Sequence, residues 1–355
     1  LQGGYVAKRK VQERLFVAIP VQEAVASFLA STHVKRLMPN TQTEYTSELG
    51  TFANWCAGQH VTLDQVNAKQ VDLFLEHIRS THKPHQVHRK EVSSYTLAGM
   101  TRVIKTFLNW CLDDEEYSKH VKADVVRRIK KPRVIKTIIE TFTPVQIEAL
   151  FAACAKEESD HLRLRDRAII ALLLDTGIRA NELCTLTIAN VDLSPGDAHI
   201  KILGKGNKWG EVGMGSECRK LMSQYLRKFR EPTLEDEIRR GTQGKKLSDQ
   251  QERRLKRNLQ ETTPFFMNRN GQSLTTNGLG RIVARLGEWA NIEGVRCSPH
   301  TLRHTFAAMF MRNGGDIYTL SKLLRHSSVK VTEDYLKSIQ QWEARKSSKS
   351  VLDNL

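Results

Sequence analysis

The 355 residues suffice for two ordinary domains with real cores, and 55 Lys and Arg against 39 Asp and Glu give a formal charge of +16 at pH 7. That excess points to a polyanionic partner, nucleic acid first, with a merely well-solvated basic surface as the plain alternative. The six cysteines form no CxxC pair, which argues against a zinc cluster or disulfide framework; no apolar run approaches the roughly 20 residues of a membrane helix, and no secretory leader pattern stands at the start.

The sequence opens Leu1-Gln-Gly-Gly without an initiating Met, as a fragment or a cloning scar would, and residues 1–20 run from basic (Lys8, Arg9, Lys10, Arg14) to apolar. They read as an arm touching DNA or a partner, or as a partly ordered tail. From Val21 to about Pro132 the pattern is helical. Val21 to Ser31 is amphipathic, Asn40 is placed to cap Thr41 to Cys56, Asn67 to cap Val71 to Ile78, and Ser93 or Ser94 to cap Tyr95 to Leu112. The expectation is a compact bundle of four or five helices over residues 21–133. His77, His82, His85 and His88 cluster around a basic stretch ending in Arg89 and Lys90, but their spacing lacks paired-ligand logic, so a solvated loop facing DNA is expected and no metal.

Arg127-Arg-Ile-Lys130-Lys131-Pro is a basic segment leading into a linker at residues 134–140, whose neighbourhood suits a chain crossing phosphates. Thr143-Pro144 then opens a helix with a capping threonine and a proline in its first turn. A helix from Leu162 to Leu174 stops at Gly177, and a new one opens by presenting Arg179 and, three residues on, Glu182, spaced so that the carboxylate orients the guanidinium. Residues 187–193, 199–203 and 211–214 read as three short antiparallel strands, with a glycine-rich turn, Gly204-Lys205-Gly-Asn-Lys208, between the last two. Walker spacing is absent there, so the turn is no P-loop. Residues 228–262 form a polar insertion with two helical pieces, Pro264-Phe-Phe-Met returns to the core, and Thr275 to Ala290 is another helix.

The densest chemistry lies between Ser298 and Tyr335. Ser298 and Pro299 start a helix on which His300 and Arg303 stand three residues apart, near its positive end. Ile317 to His326 is again helical by its apolar spacing, a break follows at Ser327-Ser328, and Val331 to Tyr335 begins a short helix. Two arginines, two histidines and a tyrosine meet the needs of metal-free transesterification at a phosphodiester. Guanidinium groups neutralise the non-bridging oxygens, a histidine hydrogen-bonds or shuttles a proton, and a tyrosine hydroxyl attacks.

Thr176-Gly-Ile-Arg179-Ala-Asn-Glu182-Leu, Gly204-Lys205-Gly, His300-Thr-Leu-Arg303-His-Thr-Phe and Leu324-Arg-His326-Ser-Ser-Val-Lys-Val-Thr-Glu-Asp-Tyr335 together resemble the tyrosine recombinase (phage integrase-like) family over residues 141–337. The resemblance implies a mainly α fold with a small antiparallel β-sheet (α+β), a helical core-binding domain that clamps DNA, and a catalytic domain. It implies that Arg179 and Arg303 clamp the phosphate, that His300 and His326 complete its site, that Lys205 protonates the leaving 5′ oxygen, and that Tyr335 is the nucleophile, without cofactor. Lys208, Arg89, Lys90, Lys130 and Lys131 are further candidate DNA contacts. The family usually carries glycine just before the second histidine; here Arg325 stands there, altering the turn or adding a phosphate contact.

The implied activity is site-specific DNA recombination through a 3′-phosphotyrosine, by a homo-tetramer on paired double-stranded DNA recombination sites, with accessory DNA-bending or directionality proteins. The residues after 337 would dock on a neighbouring protomer, or on their own domain. A mobile element is the favoured source, and a prokaryotic cytoplasm, at the nucleoid and away from membranes, the expected location. A type IB topoisomerase, resealing the same strand, and a non-catalytic DNA-binding regulator are the competing readings.

Overall fold

In a computed structural model, residues 18–81, 92–134, 140–204, 209–242, 248–326, 328–333 and 336–337 are described. The chain falls into two compact units, Leu1–Lys136 and Thr137–Leu355, mainly helical with one small antiparallel sheet.

The first unit contains α1 (Val21–Ala30), α2 (Thr32–Lys35), α3 (Pro39–Gly58), α4 (Ala68–Thr81), α5 (Ser94–Asp113) and α6 (Ala123–Arg128). Asn67 and Ser93 cap as the sequence suggests: Asn67 Oδ1 accepts from the N–H groups of Lys69 and Gln70, and Ser93 Oγ from that of Thr96. Asn40 does not cap. Pro39 takes the first helical position of α3, because its fixed φ is already helical and it has no N–H to lose, so the cap moves back to Met38. The helices close on Phe28, Leu49, Phe52, Phe74, Phe107 and Cys111, all fully buried. Phe28 meets Phe107 edge-on with ring centroids 5.7 Å apart, and Phe52 meets Phe74 at 5.1 Å. Each such side chain contributes about 1.5–3 kcal/mol by leaving water. Lys130 and Lys131 lie on the exposed stretch after α6.

The second unit begins with α7 (Pro144–Ala153), which Thr143 and Gln146 start with a reciprocal capping box. Then α8 (Asp160–Thr176) runs through the core with residues 168–173 buried, packed against α10 (Ser216–Tyr225) and α14 (Pro299–Arg312). Between α8 and α10 come α9 (Ala180–Cys184), β1 (Val191–Asp192), β2 (His199–Leu203) and β3 (Trp209–Gly213), paired antiparallel in the order β1-β2-β3. The strand expected over residues 187–193 shrinks to its last two paired residues. Ile188–Asn190 make a 3-10 turn instead, because Ile188 N–H bonds the Thr263 carbonyl and Phe265 N–H the Leu186 carbonyl, leaving no free ladder for β2. β2 and β3 pair from His199↔Gly213 to Leu203↔Trp209, bracketing the turn that carries Lys205 and Lys208, which lie outside the described residues.

The insertion contributes α11 (Glu231–Thr242) and α12 (Asp249–Thr262). It is anchored as well as solvated: Arg230, 1% exposed, donates to the carbonyls of Pro264 and Phe265 at 2.7 and 3.0 Å. α13 (Thr276–Trp289), α14 and α15 (Ile317–Leu323) complete the unit. Among the described residues, no helix is long and apolar enough to cross a membrane.

Candidate active site

Three chain segments meet where α8, α14 and α15 end or begin. α8 stops at Gly177, whose φ of +60° suits glycine and whose missing side chain leaves room for Phe306: a Cβ there would stand 2.3 Å from a Phe306 ring carbon. The chain therefore turns sharply and sets Arg179 at the start of α9. Glu182 returns to that start, accepting the Arg179 backbone N–H at 2.7 Å on Oε2 and the Arg179 Nη1 at 3.1 Å on Oε1.

From α14, begun by Ser298 with Pro299 in its first turn, Arg303 points inward and is 5% exposed. Its guanidinium ties the segments together, donating from Nη1 to the Gly177 carbonyl and from Nη2 to the Leu324 carbonyl at 2.7 Å. Nη2 also lies 3.3 Å from Nε2 of His326. Arg179 Nη2 donates to the next carbonyl, that of Arg325, at 3.3 Å. The two guanidiniums thus bracket the turn before His326 from two sides.

That turn explains the usual glycine. α15, capped by Asp316 through the N–H groups of Tyr318 and Thr319, ends with His326 N–H bonding the Ser321 carbonyl and Arg325 N–H the Lys322 carbonyl, each at 3.0 Å. This is a Schellman ending, whose residue after the cap is left-handed; Arg325 adopts φ +50°, at a cost of about 1 kcal/mol relative to glycine. The turn is kept, and the Arg325 side chain is directed to the Glu182 carboxylate.

Both histidines titrate low. His300 keeps solvent access on the first turn of α14; crowding by neighbouring atoms, then the charges of Arg303, Arg296 and Arg179, lower its pKa. His326 is pushed down to about 4 by burial, then by Arg303 and Arg179. Since arginine only donates, His326 Nε2 accepts from Arg303, so its proton is on Nδ1, which donates to Thr332 Oγ1 at 2.8 Å. Burial would raise Glu182, but the Arg179 N–H, the Arg325 charge and the Arg179 side chain outweigh it and leave the carboxyl below its ordinary range. At neutral pH the cluster therefore holds cationic arginines beside neutral imidazoles, a charge arrangement that favours an anion.

The structure brings Arg179, Glu182, His300, Arg303, Arg325 and His326 together. Tyr335, Arg89 and Lys90, like Lys205 and Lys208, lie outside the described residues, as do the residues after 337. Two participants carry no sequence assignment, Thr332, which is fully buried, and Asp316, although both stand in motif-bearing stretches. Among the described residues no group of three or more His, Cys, Asp or Glu is arranged to hold a metal ion.

A sequence model of the phage integrase family matches residues 140–341, more than half of the chain. The chain belongs to the phage integrase family. It is accordingly a tyrosine recombinase, a DNA strand-transferring enzyme. Tyrosine recombinase XerD of Ralstonia nicotianae is 29% identical over 300 residues, with 84% of each chain covered. Tyrosine recombinase XerC of Thermodesulfovibrio yellowstonii is 30% identical over 247 residues, 69% of this chain and 72% of that one. The crystal structure of the XerH site-specific recombinase bound to palindromic difH substrate is 18% identical with a TM-score of 0.63, covering 91% of this chain and 83% of that one. The Tn1549 transposon integrase in complex with a circular intermediate DNA is 16% identical, with a TM-score of 0.62 and 93% and 100% coverage. At these identities the two structural likenesses speak to the fold.

Proposed function

We propose that this recombinase cleaves double-stranded DNA at a specific site with Tyr335 as nucleophile and rejoins it to a new partner. The Tyr335 hydroxyl gives its proton to the neutral imidazole of His300 and its oxygen bonds to the scissile phosphorus as the bond to the 5′ oxygen breaks, giving a 3′-phosphotyrosine; the 5′ oxygen leaves with a proton from Lys205. A 5′ hydroxyl of a second duplex then gives its proton to Lys205 and attacks the phosphorus, and tyrosine departs with the proton held by His300. Bond energy is conserved in the ester, so no nucleotide cofactor is consumed.

The observation that carries this reading is the convergence of Arg179 and Arg303 on the turn before His326, with His300 beside them. Such preorganised donors stabilise the charge that grows on the non-bridging oxygens. A phosphate beside His326 raises its proton affinity, so that Nε2 becomes a donor to the same oxygens. Lys130, Lys131, Arg89, Lys90 and Lys208 supply backbone phosphate contacts in this reading, with the first unit as the clamp. Two duplexes imply four protomers, with the chain beyond residue 337 linking neighbours, and accessory bending proteins where the sites are bent.

Covalent trapping tests it. The protein and its Tyr335→Phe variant are incubated, with chelator, with nicked duplexes tiled across the DNA that flanks its gene. An adduct that survives denaturation, formed only by the unaltered protein, is expected. Binding to one duplex without any adduct would instead make the chain a regulator there. Where the adduct falls, at an element's end or a chromosomal site, separates element movement from chromosome resolution.

A further inference from the structure

Residue 325 touches Arg179 by two routes. Its carbonyl receives Arg179 Nη2 at 3.3 Å, and its guanidinium meets the Glu182 carboxylate that also holds Arg179 Nη1 and backbone N–H. The side chain is only 20% exposed, and it lies over β3: a Cβ on Gly210 would stand 3.4 Å from Arg325 Cδ. Gly210 pairs with Ile202 at the base of the hairpin that carries Lys205.

We propose that Arg325 is a positioning residue that acts through Glu182, fixing the direction of the Arg179 guanidinium and holding β3, the outgoing strand of the Lys205 hairpin, beside it. The inference rests on the phosphate role of Arg179 proposed above. Arg179 is 39% exposed by its side chain, so its long stem would sample other rotamers unless held. Arg325 Nη2 pairs with Glu182 Oε2, the oxygen that also accepts the Arg179 backbone N–H, and so leaves Oε1 turned to Arg179 Nη1 in one orientation. Left-handed backbone and a largely covered guanidinium are both unfavourable for arginine; the Glu182 ion pair offsets part of that cost, while Nε and Nη1 have no hydrogen-bond partner among the described residues. Arg179 and Arg325 are also the charged groups that face Glu182 and keep it ionised.

The test uses the full chain with Arg325→Ala, Arg325→Gly and Arg325→Lys, and as probe the nicked duplex on which the unaltered protein forms its adduct. Alanine keeps the left-handed strain and removes the side chain; glycine removes both, so agreement between them assigns any effect to the side chain. Both are expected to slow adduct formation at saturating DNA about tenfold, a loss of one well-placed charged contact, while half-saturation stays within about twofold. Lysine, which keeps the charge without the fork, recovers part of the rate. The acid limb of the pH–rate profile moves to higher pH in the alanine and glycine variants, because Glu182 loses a cation. In a Glu182→Gln background, Arg325→Gly costs nothing further.

An unchanged rate and acid limb in the alanine and glycine variants, with normal adduct formation by the unaltered protein, overturns this inference alone. A loss confined to half-saturation also overturns it, making Arg325 a direct DNA contact. Should alanine or glycine prevent folding, full activity of the lysine variant with an unmoved acid limb likewise rejects the guanidinium's role. No adduct from the unaltered protein overturns the reading of the site beneath it.

Discussion

Nη2 of Arg303 lies 3.3 Å from Nε2 of His326, and the same nitrogen donates to the Leu324 carbonyl at 2.7 Å. Arg303 is therefore both a candidate phosphate ligand and the brace that joins the end of α8 to the end of α15. Arg303→Lys keeps the charge but has no planar fork to serve the Gly177 and Leu324 carbonyls together. Adduct formation is expected to fall about 10²- to 10³-fold, with lower stability of the second unit, since a buried cation loses its partners. Single-turnover trapping and hydrogen exchange of α8 and α15 amides measure the two effects. An Arg303→Lys protein as active as the unaltered one would refute the brace.

Thr332 accepts the Nδ1 proton of His326 at 2.8 Å from a fully buried position. Thr332→Val preserves the shape and removes the acceptor, so the Nδ1–H loses its partner and the ring takes less readily the second proton with which Nε2 donates to phosphate. The expected loss is about tenfold in the rate of adduct formation with little change in DNA affinity. Nitrogen chemical shifts of the His326 ring in the DNA complex report its protonation directly; an equally protonated ring in the variant would remove the reason for the loss.

His326 and His304 are both pushed down to about 4 in the folded chain, His326 by burial, then by Arg303 and Arg179, and His304 by burial, then by His300 and Arg303. The unfolded chain, with ordinary histidines near 6.5, binds more protons between those values, so stability is full above 6.5 and falls as pH drops towards 4. Allowing for solvent screening, each group accounts for roughly 1–2 kcal/mol. Exchange of α14 amides, corrected for intrinsic rate, is expected to accelerate through that window, and a flat profile would contradict it.

Much of the frame is local and could be read from the sequence. Ser93, Asn67, Thr143 and Ser298 satisfy the N–H groups of their own helices, and Gly177 ends α8 for a reason visible in one residue. The misses are non-local. Residues 187–190 have strand composition, yet the Ile188 N–H is taken by Thr263 and the carbonyl of Leu186 just before them by Phe265, some 75 residues on. Nothing local marks Arg165 for the interior, where it is buried against Asp166 at 2.7 Å with the Met267 carbonyl at 3.1 Å. The departure at Arg325 is plain in sequence; its contact with Glu182 depends on a fold that brings two distant turns together.

Glu48 on α3 is held up to about 7, by burial first and then by the Glu44 charge, against the opposing pull of Arg102. An acid raised from 4.5 is protonated more readily in the folded chain. Its contribution is thus fully present below 4.5 and is lost as pH rises towards 7. Glu48→Gln removes the titrating group and is expected to stabilise the first unit at pH 8 by about 1 kcal/mol after screening, and to change little at pH 5. Exchange of α3 and α5 amides at the two pH values checks the sign; equal effects at both would exclude Glu48 as the source.

Gly177 carries two constraints at once, a φ of +60° and a Phe306 ring carbon 2.3 Å from where a Cβ would stand. Gly177→Ala therefore adds left-handed strain of about 1 kcal/mol and overpacking of about 1–3 kcal/mol, together roughly 3 kcal/mol. It also displaces the carbonyl that Arg303 Nη1 holds, so activity should fall beyond what instability explains. Phe306→Leu in the same chain opens the space but leaves the backbone strain. The double variant is expected to regain the packing part and not the rest, placing its stability between Gly177→Ala and the unaltered protein. Urea unfolding followed by exchange of α8 amides measures the sequence of the three, and a double variant less stable than Gly177→Ala alone would show that the ring is not the obstacle.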